Sequence, residues 1–365
     1  MLDFRKQEIG DISNSTVIAI NGDVTINGEK FNNILQTLIE VVRKDFEYYS
    51  YAAIANAKED IANYLKRIFE KLAKEHLTHL TEIFQKPAIQ ISLHDSIISY
   101  ISSEDDNIRE YIVELMIDRL KVQSGTTEQA VVNEAITLIS TLNAKTLSLL
   151  ALMALRHQVM LPPISIMLES SFIELSPIVN QASNITNIDV DFISQNKCTR
   201  TIIGLYPIDT FENHLLKQYD LFFRHEGSMT ELDAYTVIHP EIRSQVNDMG
   251  SCMFCGTNQE MDYWKFCDVN SKVFYERLKA RGQEFLIPLV EELKSRVPLF
   301  TTDEVRSYLC KINPNWMYVF KLLNSPSLNH TDLSTLGMYV GSKYISKMTK
   351  KPSLPISVLA NPIEL

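Results

Sequence analysis

Apolar positions at three- and four-residue spacing dominate the first half of the chain. Ile34, Leu35, Leu38, Ile39 and Val42 form one stripe, and Ile61, Tyr64, Leu65, Ile68, Phe69 and Leu72 resume it with charged residues opposite. That is the signature of an amphipathic helix. Neither Pro nor Gly occurs between Glu29 and Lys86, so the pattern predicts one long helix or two nearly continuous ones. Helices of that length usually serve a bundle or an oligomer interface. Pro87 punctuates, and three amphipathic stretches follow: "AIQISLHDSIISYISS", "DNIREYIVELMIDRLKVQ" and "TTEQAVVNEAITLISTLNAKTLSLLALMALRH". Thr126 or Thr127 is a suitable N-cap for the third, and Asn143 interrupts it.

Pro162-Pro163 is the clearest sequence boundary. Beyond it, helical periodicity returns in "ISIMLESSFIELSPIVNQA", "DTFENHLLKQYDLFFRH" and "DVNSKVFYERLKARGQEFLIPLVEELKSR". Thr302, ahead of Asp303 and Glu304, offers a capped start to a later helix. No period of repeat-protein length recurs, which argues against a solenoid.

The N-terminus breaks the helical pattern. "NSTVIAINGDVTING", residues 14–28, alternates with period two around Asn21-Gly22, the preferred pair for a type I′ hairpin turn. With that turn, Val17, Ala19, Val24 and Ile26 form one wholly apolar face, and Gly28 ends the hairpin. A lone hairpin is marginal in water, so these four residues are expected to meet another copy of the chain. The expected fold is therefore mainly α: an N-terminal β-hairpin arm (1–28), a long helix and helical bundle (29–161), and a second, mostly helical domain (164–300). A C-terminal helical segment and tail (301–365) complete it.

Composition narrows the function classes more than it selects one. Hydrophobic residues at 45% and charged ones at 22% are ordinary for a folded chain. A net charge of −10 disfavours a generic nucleic-acid or anionic-membrane binder, which needs a positive field. Lys343, Lys347, Lys350 and Lys351 keep a nucleic-acid or nucleotide reading of the C-terminal segment open. No apolar run is long enough to span a bilayer, so no membrane partner is expected. Five cysteines without a secretion signal imply a reducing, cytoplasmic setting.

Two segments hold candidate chemistry. In "GSCMFCGTNQEMDYWKFCD", Cys252 and Cys255 sit two residues apart ahead of Gly256, with Cys267 as a third thiolate and His225 or His239 as a fourth ligand. This is half of a zinc site, since zinc takes four tetrahedral ligands and complete sites show a second pair; cysteines packed as small hydrophobes are the commoner outcome. In "FFRHEGS", Arg224, His225 and Glu226 are adjacent, a group that on a helix end is more often salt-bridged than catalytic. "GMYVGSKY" fails the phosphate-loop spacing. Enzymatic activity therefore stays undecided, leaning against, with no catalytic residues assigned and zinc as the one cofactor to test.

The leader "QEIGDISNSTVIAINGDVTING", the middle "IFQKPAIQISLHDSIISYI" and the late "DLSTLGMYVGSKYISK" together resemble an uncharacterised family of bacterial proteins with a GDVTI-type strand leader, a helical body and a C-terminal LTxxGxxIG-like motif. Ser334 stands where that pattern has Thr. Such leaders are similar to those of components of anti-phage and conflict systems. The resemblance implies a self-assembling sensor, scaffold or regulator of an effector protein, and it transfers no catalytic residue.

Overall fold

The computed structural model describes residues 25–26, 29–30, 51–74, 83–123, 125–156, 165–201, 209–240, 254–255, 263–328 and 330–350. The chain is mainly helical, with small antiparallel strand pairings between the helices. By its contacts it divides between Asn143 and Ala144, rather than at Pro162-Pro163.

The first unit opens with β1 (Thr25–Ile26) and β2 (Glu29–Lys30). They pair Thr25 with Lys30 and Ile26 with Glu29, so the strand pairing continues past Gly28, the expected end of the hairpin. The two residues between the paired ends are a second Asn-Gly, Asn27-Gly28. The turn expected at Asn21-Gly22, and with it Val17, Ala19 and Val24, lies outside the described residues, as does the 31–50 part of the expected long helix.

Four helices follow: α1 (Tyr51–Leu72), α2 (Pro87–Ser102), α3 (Asp106–Lys121) and α4 (Thr127–Ile139). The predicted stripe of α1 is buried at Tyr64, Leu65, Ile68, Phe69 and Leu72. It meets Leu93, Ile97 and Tyr100 of α2 and Ile112, Leu115 and Met116 of α3 as the unit's core. Asp105 caps α3 through Asn107 N–H (2.8 Å), and Thr126 caps α4 through Gln129 N–H (3.2 Å). A ladder of ion pairs ties α1 to α3. Arg67 meets Asp106 (2.8 Å), Lys71 meets Glu110 (2.6 Å) and Glu114 (3.1 Å), and Asp60 takes Arg109 (3.1 Å).

The second unit is built around α5 (Ala144–Arg156), which is buried from Thr146 to Arg156. A helix that is hydrophobic on every side belongs inside a domain. This explains why the division falls before α5: its apolar surface is covered by helices that follow it. The helices that follow are α6 (Ser165–Glu174), α7 (Ser176–Val179), α8 (Asn187–Gln195), α9 (Phe211–Gln218), α10 (Met229–Ile238), α11 (Ser271–Ala280), α12 (Ile287–Arg296), α13 (Thr302–Ile312), α14 (Trp316–Leu323) and α15 (Thr335–Thr349), and those that pack on α5 are α7, α8, α9, α14 and α15. The most extensive helix pairing is between α5 and α15.

The glycines of "GMYVGSKY" make that pairing possible. A Cβ on Gly341 would overlap the Leu150 carbonyl of α5, and one on Gly337 would overlap the Cys198 carbonyl. Ser334 caps α15: its Oγ accepts from Gly337 N–H (3.1 Å) and donates to the Lys197 carbonyl (2.6 Å). Serine does here what threonine would do at the same position. β3 (Thr199–Thr201) pairs antiparallel with β7 (Thr331–Leu333), with Arg200 on Asp332 (2.6 Å). The late motif is thus a packing and capping device. Arg156, at the end of α5, donates to the carbonyls of Leu323 (3.1 Å), Leu328 (3.5 Å) and Asp209 (3.3 Å).

Three strands form the remaining sheet in the order β4 (Gly227–Ser228), β6 (Tyr263–Phe266), β5 (Phe254–Cys255). It packs with α10, α11 and α12 around Trp264, Phe266, Phe274 and Val290. No helix among the described residues is long and apolar enough to cross a membrane.

Candidate functional site

The "FFRHEGS" segment runs from the aromatic core of the second unit to the start of β4. Phe223 is buried and lies edge-on to Tyr308. Phe300 N–H then donates to the Phe223 carbonyl (2.8 Å), and His225 N–H to the Pro298 carbonyl (3.0 Å). This antiparallel bridge, Arg224 against Leu299, fixes three consecutive side chains.

Arg224 turns to the end of α12, where its guanidinium donates to the carbonyls of Lys294 (2.8 Å) and Val297 (2.7 Å). A cation on orphan carbonyls at a helix C-terminus is a structural arrangement. Burial draws its pKa down, with Asp220 and Glu291 opposing. His225 places Nε2 3.3 Å from Glu304 and its ring 4.9 Å from that of Phe300. Glu226 pairs with Lys265 of β6 (3.0 Å). That pair follows from register, because Gly227 faces Trp264. Only glycine fits there, since a Cβ would run into the indole.

These residues line a cleft of about 360 Å³ formed by Arg224, His225, Glu226, Lys265 and Phe300. Glu304 is held below the usual carboxylate range, first by the Thr301 backbone N–H and hydroxyl and then by His225. It is also the third residue of a capping box on α13, accepting from Thr301 N–H (2.8 Å) while Thr301 Oγ1 accepts from Glu304 N–H (3.3 Å). The cap is therefore Thr301 rather than Thr302, because a capping box needs its acid three residues on. Chemically the cleft offers one ion pair, Glu226 with Lys265, an imidazole beside a carboxylate, His225 with Glu304, and an aromatic wall. None of the five lining residues carries a hydroxyl or thiol nucleophile.

The sequence singled out Arg224, His225 and Glu226, and the fold brings those three to one cleft. Lys265, Phe300 and Glu304 were missed. Only strand pairing and the bridge to residues 298–300 bring them there. His239, at the end of α10, stacks against Tyr235 (4.6 Å) and does not line the cleft. Cys252 lies outside the described residues. Cys255 belongs to β5 opposite Lys265, and Cys267, half-buried, follows the last residue of β6. Among the described residues no group of three or more His, Cys, Asp or Glu side chains is placed to hold a metal ion.

No curated protein and no solved structure matches the chain. One family model, that of an uncharacterised family, matches residues 28–359. The match takes in the helical body and the "LSTLGMYVG" device and starts at the last residue of the "NSTVIAINGDVTING" stretch. The chain therefore belongs to this uncharacterised family.

Proposed function

We propose that the protein is a self-assembling interaction protein that engages a separate effector protein, as a sensor, scaffold or regulator in bacterial anti-phage defence. The observation that carries the assembly reading is the N-terminal strand pair. Among the described residues β1 and β2 pair only with each other, and two such short strands need a surface to lie against. The apolar series Val17, Ala19, Val24 and Ile26 supplies the means to meet another copy. Light scattering on a variant lacking residues 1–28 tests this: its molar mass should fall to that of one chain, and an unchanged oligomer overturns the reading. The defence setting rests on the leader's resemblance. Deleting the gene from its host should raise phage plating efficiency; no change across a phage panel removes that setting.

A second reading places an enzymatic or zinc-containing site in the C-terminal half, favoured by the cleft in which His225 faces Glu304 (3.3 Å). Metal analysis of the purified chain separates the two. Stoichiometric zinc that is lost in Cys255→Ser supports the second reading, and metal-free protein removes its zinc form.

A further inference from the structure

Arg119 of α3 is 0% exposed, in the interior of the first unit. Its Nε donates to Asn133 Oδ1 of α4 (2.8 Å) and Ser92 Oγ of α2 (3.2 Å), both neutral acceptors. Nη1 and Nη2 are buried without a hydrogen-bond partner. A guanidinium carries five N–H donors and does not deprotonate in proteins, so most of its hydrogen-bonding capacity is unused. Burial pulls its pKa down. Among the described residues its hydrogen-bond partners carry no counter-charge, and a buried cation so placed disfavours the closed arrangement that surrounds it.

The unused edge has a specific chemistry. Nη1 and Nη2 together form the planar fork that takes a carboxylate or phosphate through two parallel hydrogen bonds. The helix bonded across Arg119 is α4, through Asn133. That helix is preceded by Gly125 at φ +87°, a left-handed conformation that glycine adopts freely. Four residues after it, at Asn143, the unit ends. Among the described residues it is tied to α2 by Ser92 Oγ on Asn133 Oδ1 (2.9 Å) and Ser99 Oγ on the Ile136 carbonyl (3.0 Å), with Val132, Ala135, Ile136 and Ile139 buried on its inner face.

We propose that α4 is a gate that lifts from α2 and α3, pivoting near Gly125, and uncovers the Nη edge of Arg119 as a binding site for an oxyanion. The closed state hides the charge, and the open state offers it in bidentate geometry. Local openings of this kind occur well below the free energy of global unfolding.

Hydrogen exchange on the full chain tests the gate, read on the α4 amides. Arg119→Met removes the uncompensated charge at similar volume, and Asn133→Asp supplies a carboxylate where Nε already bonds. Both should slow α4 exchange by about tenfold. Unchanged or faster exchange in Arg119→Met overturns the gate; should that variant fail to fold, the same result in Asn133→Asp does. For the ligand, inorganic phosphate and acetate are each compared with chloride at equal ionic strength. Either should hasten α4 exchange in the native chain and leave Arg119→Met unaffected, and which one acts distinguishes phosphate from carboxylate. Exchange identical to that in chloride with both anions overturns the oxyanion site.

Discussion

Each unit carries an arginine inside, Arg119 in the first and Arg156 in the second, and the surroundings serve them differently. Arg156 ends α5 and sends both Nη atoms to three main-chain carbonyls. Arg119 reaches two side-chain oxygens with Nε and leaves Nη1 and Nη2 without partners. Carbonyls at the ends of helices and in loops need donors and do not titrate, so a guanidinium among them is a fixed strut. The same group among side-chain oxygens, with its fork unused, is a source of instability that a partner could relieve. Burial alone does not separate structural from poised charges; the count of satisfied donors does.

That contrast predicts opposite signs for matched substitutions. Arg156→Met should destabilise the second unit most, by about 3 kcal/mol, because it leaves the carbonyls of Leu323, Leu328 and Asp209 without their donor. Both tryptophans, Trp264 and Trp316, belong to the second unit, so the loss should be read as an earlier transition in tryptophan fluorescence during urea unfolding. Gly341→Ala should come next at about 2 kcal/mol, since its Cβ meets the main-chain oxygen of Leu150, which cannot rotate away. Arg119→Met should raise stability instead, by about 1–2 kcal/mol, and leave the tryptophan transition in place. A destabilised Arg119→Met would break the comparison outright.

The surface of the first unit gives a smaller effect. The pairs of Arg67, Lys71 and Arg109 with acids across α1 and α3 are partly exposed, and such pairs contribute a few tenths of a kcal/mol each. Raising salt should therefore weaken the α1–α3 contact, measured as faster amide exchange in α1, by far less than any interior substitution.

The helices were legible because burial writes itself into period: Tyr64, Leu65, Ile68 and Phe69 of α1 lie where the stripe puts them. Asn143 was rightly read as an interruption, but it also marks the division between units, and the prolines at 162–163 do not. The reason is that unit membership depends on what covers α5, and its partner α15 lies far along the chain. Half of the cleft was visible as "RHEGS" for the same reason that the other half was not. Arg224, His225 and Glu226 are adjacent in sequence, whereas Lys265 arrives by strand register and Phe300 and Glu304 by a main-chain bridge. Arg119 sits in an unremarkable helical pattern, "MIDRLK", and nothing local marks its charge as facing inward.

The smallest expected effect tests whether the cleft of the second unit is a strut like Arg156 or poised like Arg119. Glu304 donates no proton at neutral pH and accepts from Thr301 and His225, which hold its folded pKa below that of the unfolded chain. A depressed carboxylate pKa contributes stability that is present above the unfolded value and lost as pH falls through the folded one. The tryptophan transition should therefore move to lower urea as pH drops below the ordinary glutamate range of about 4. Glu304→Gln keeps a capping-box acceptor but removes the charge, so it should flatten that part of the pH profile while changing the transition little at neutral pH. If the glutamine variant keeps the native pH dependence, Glu304 is not tuned by its neighbours and the cleft is a solvated surface. If the dependence vanishes, the carboxylate is a working part of the capping box, tuned by Thr301 and His225.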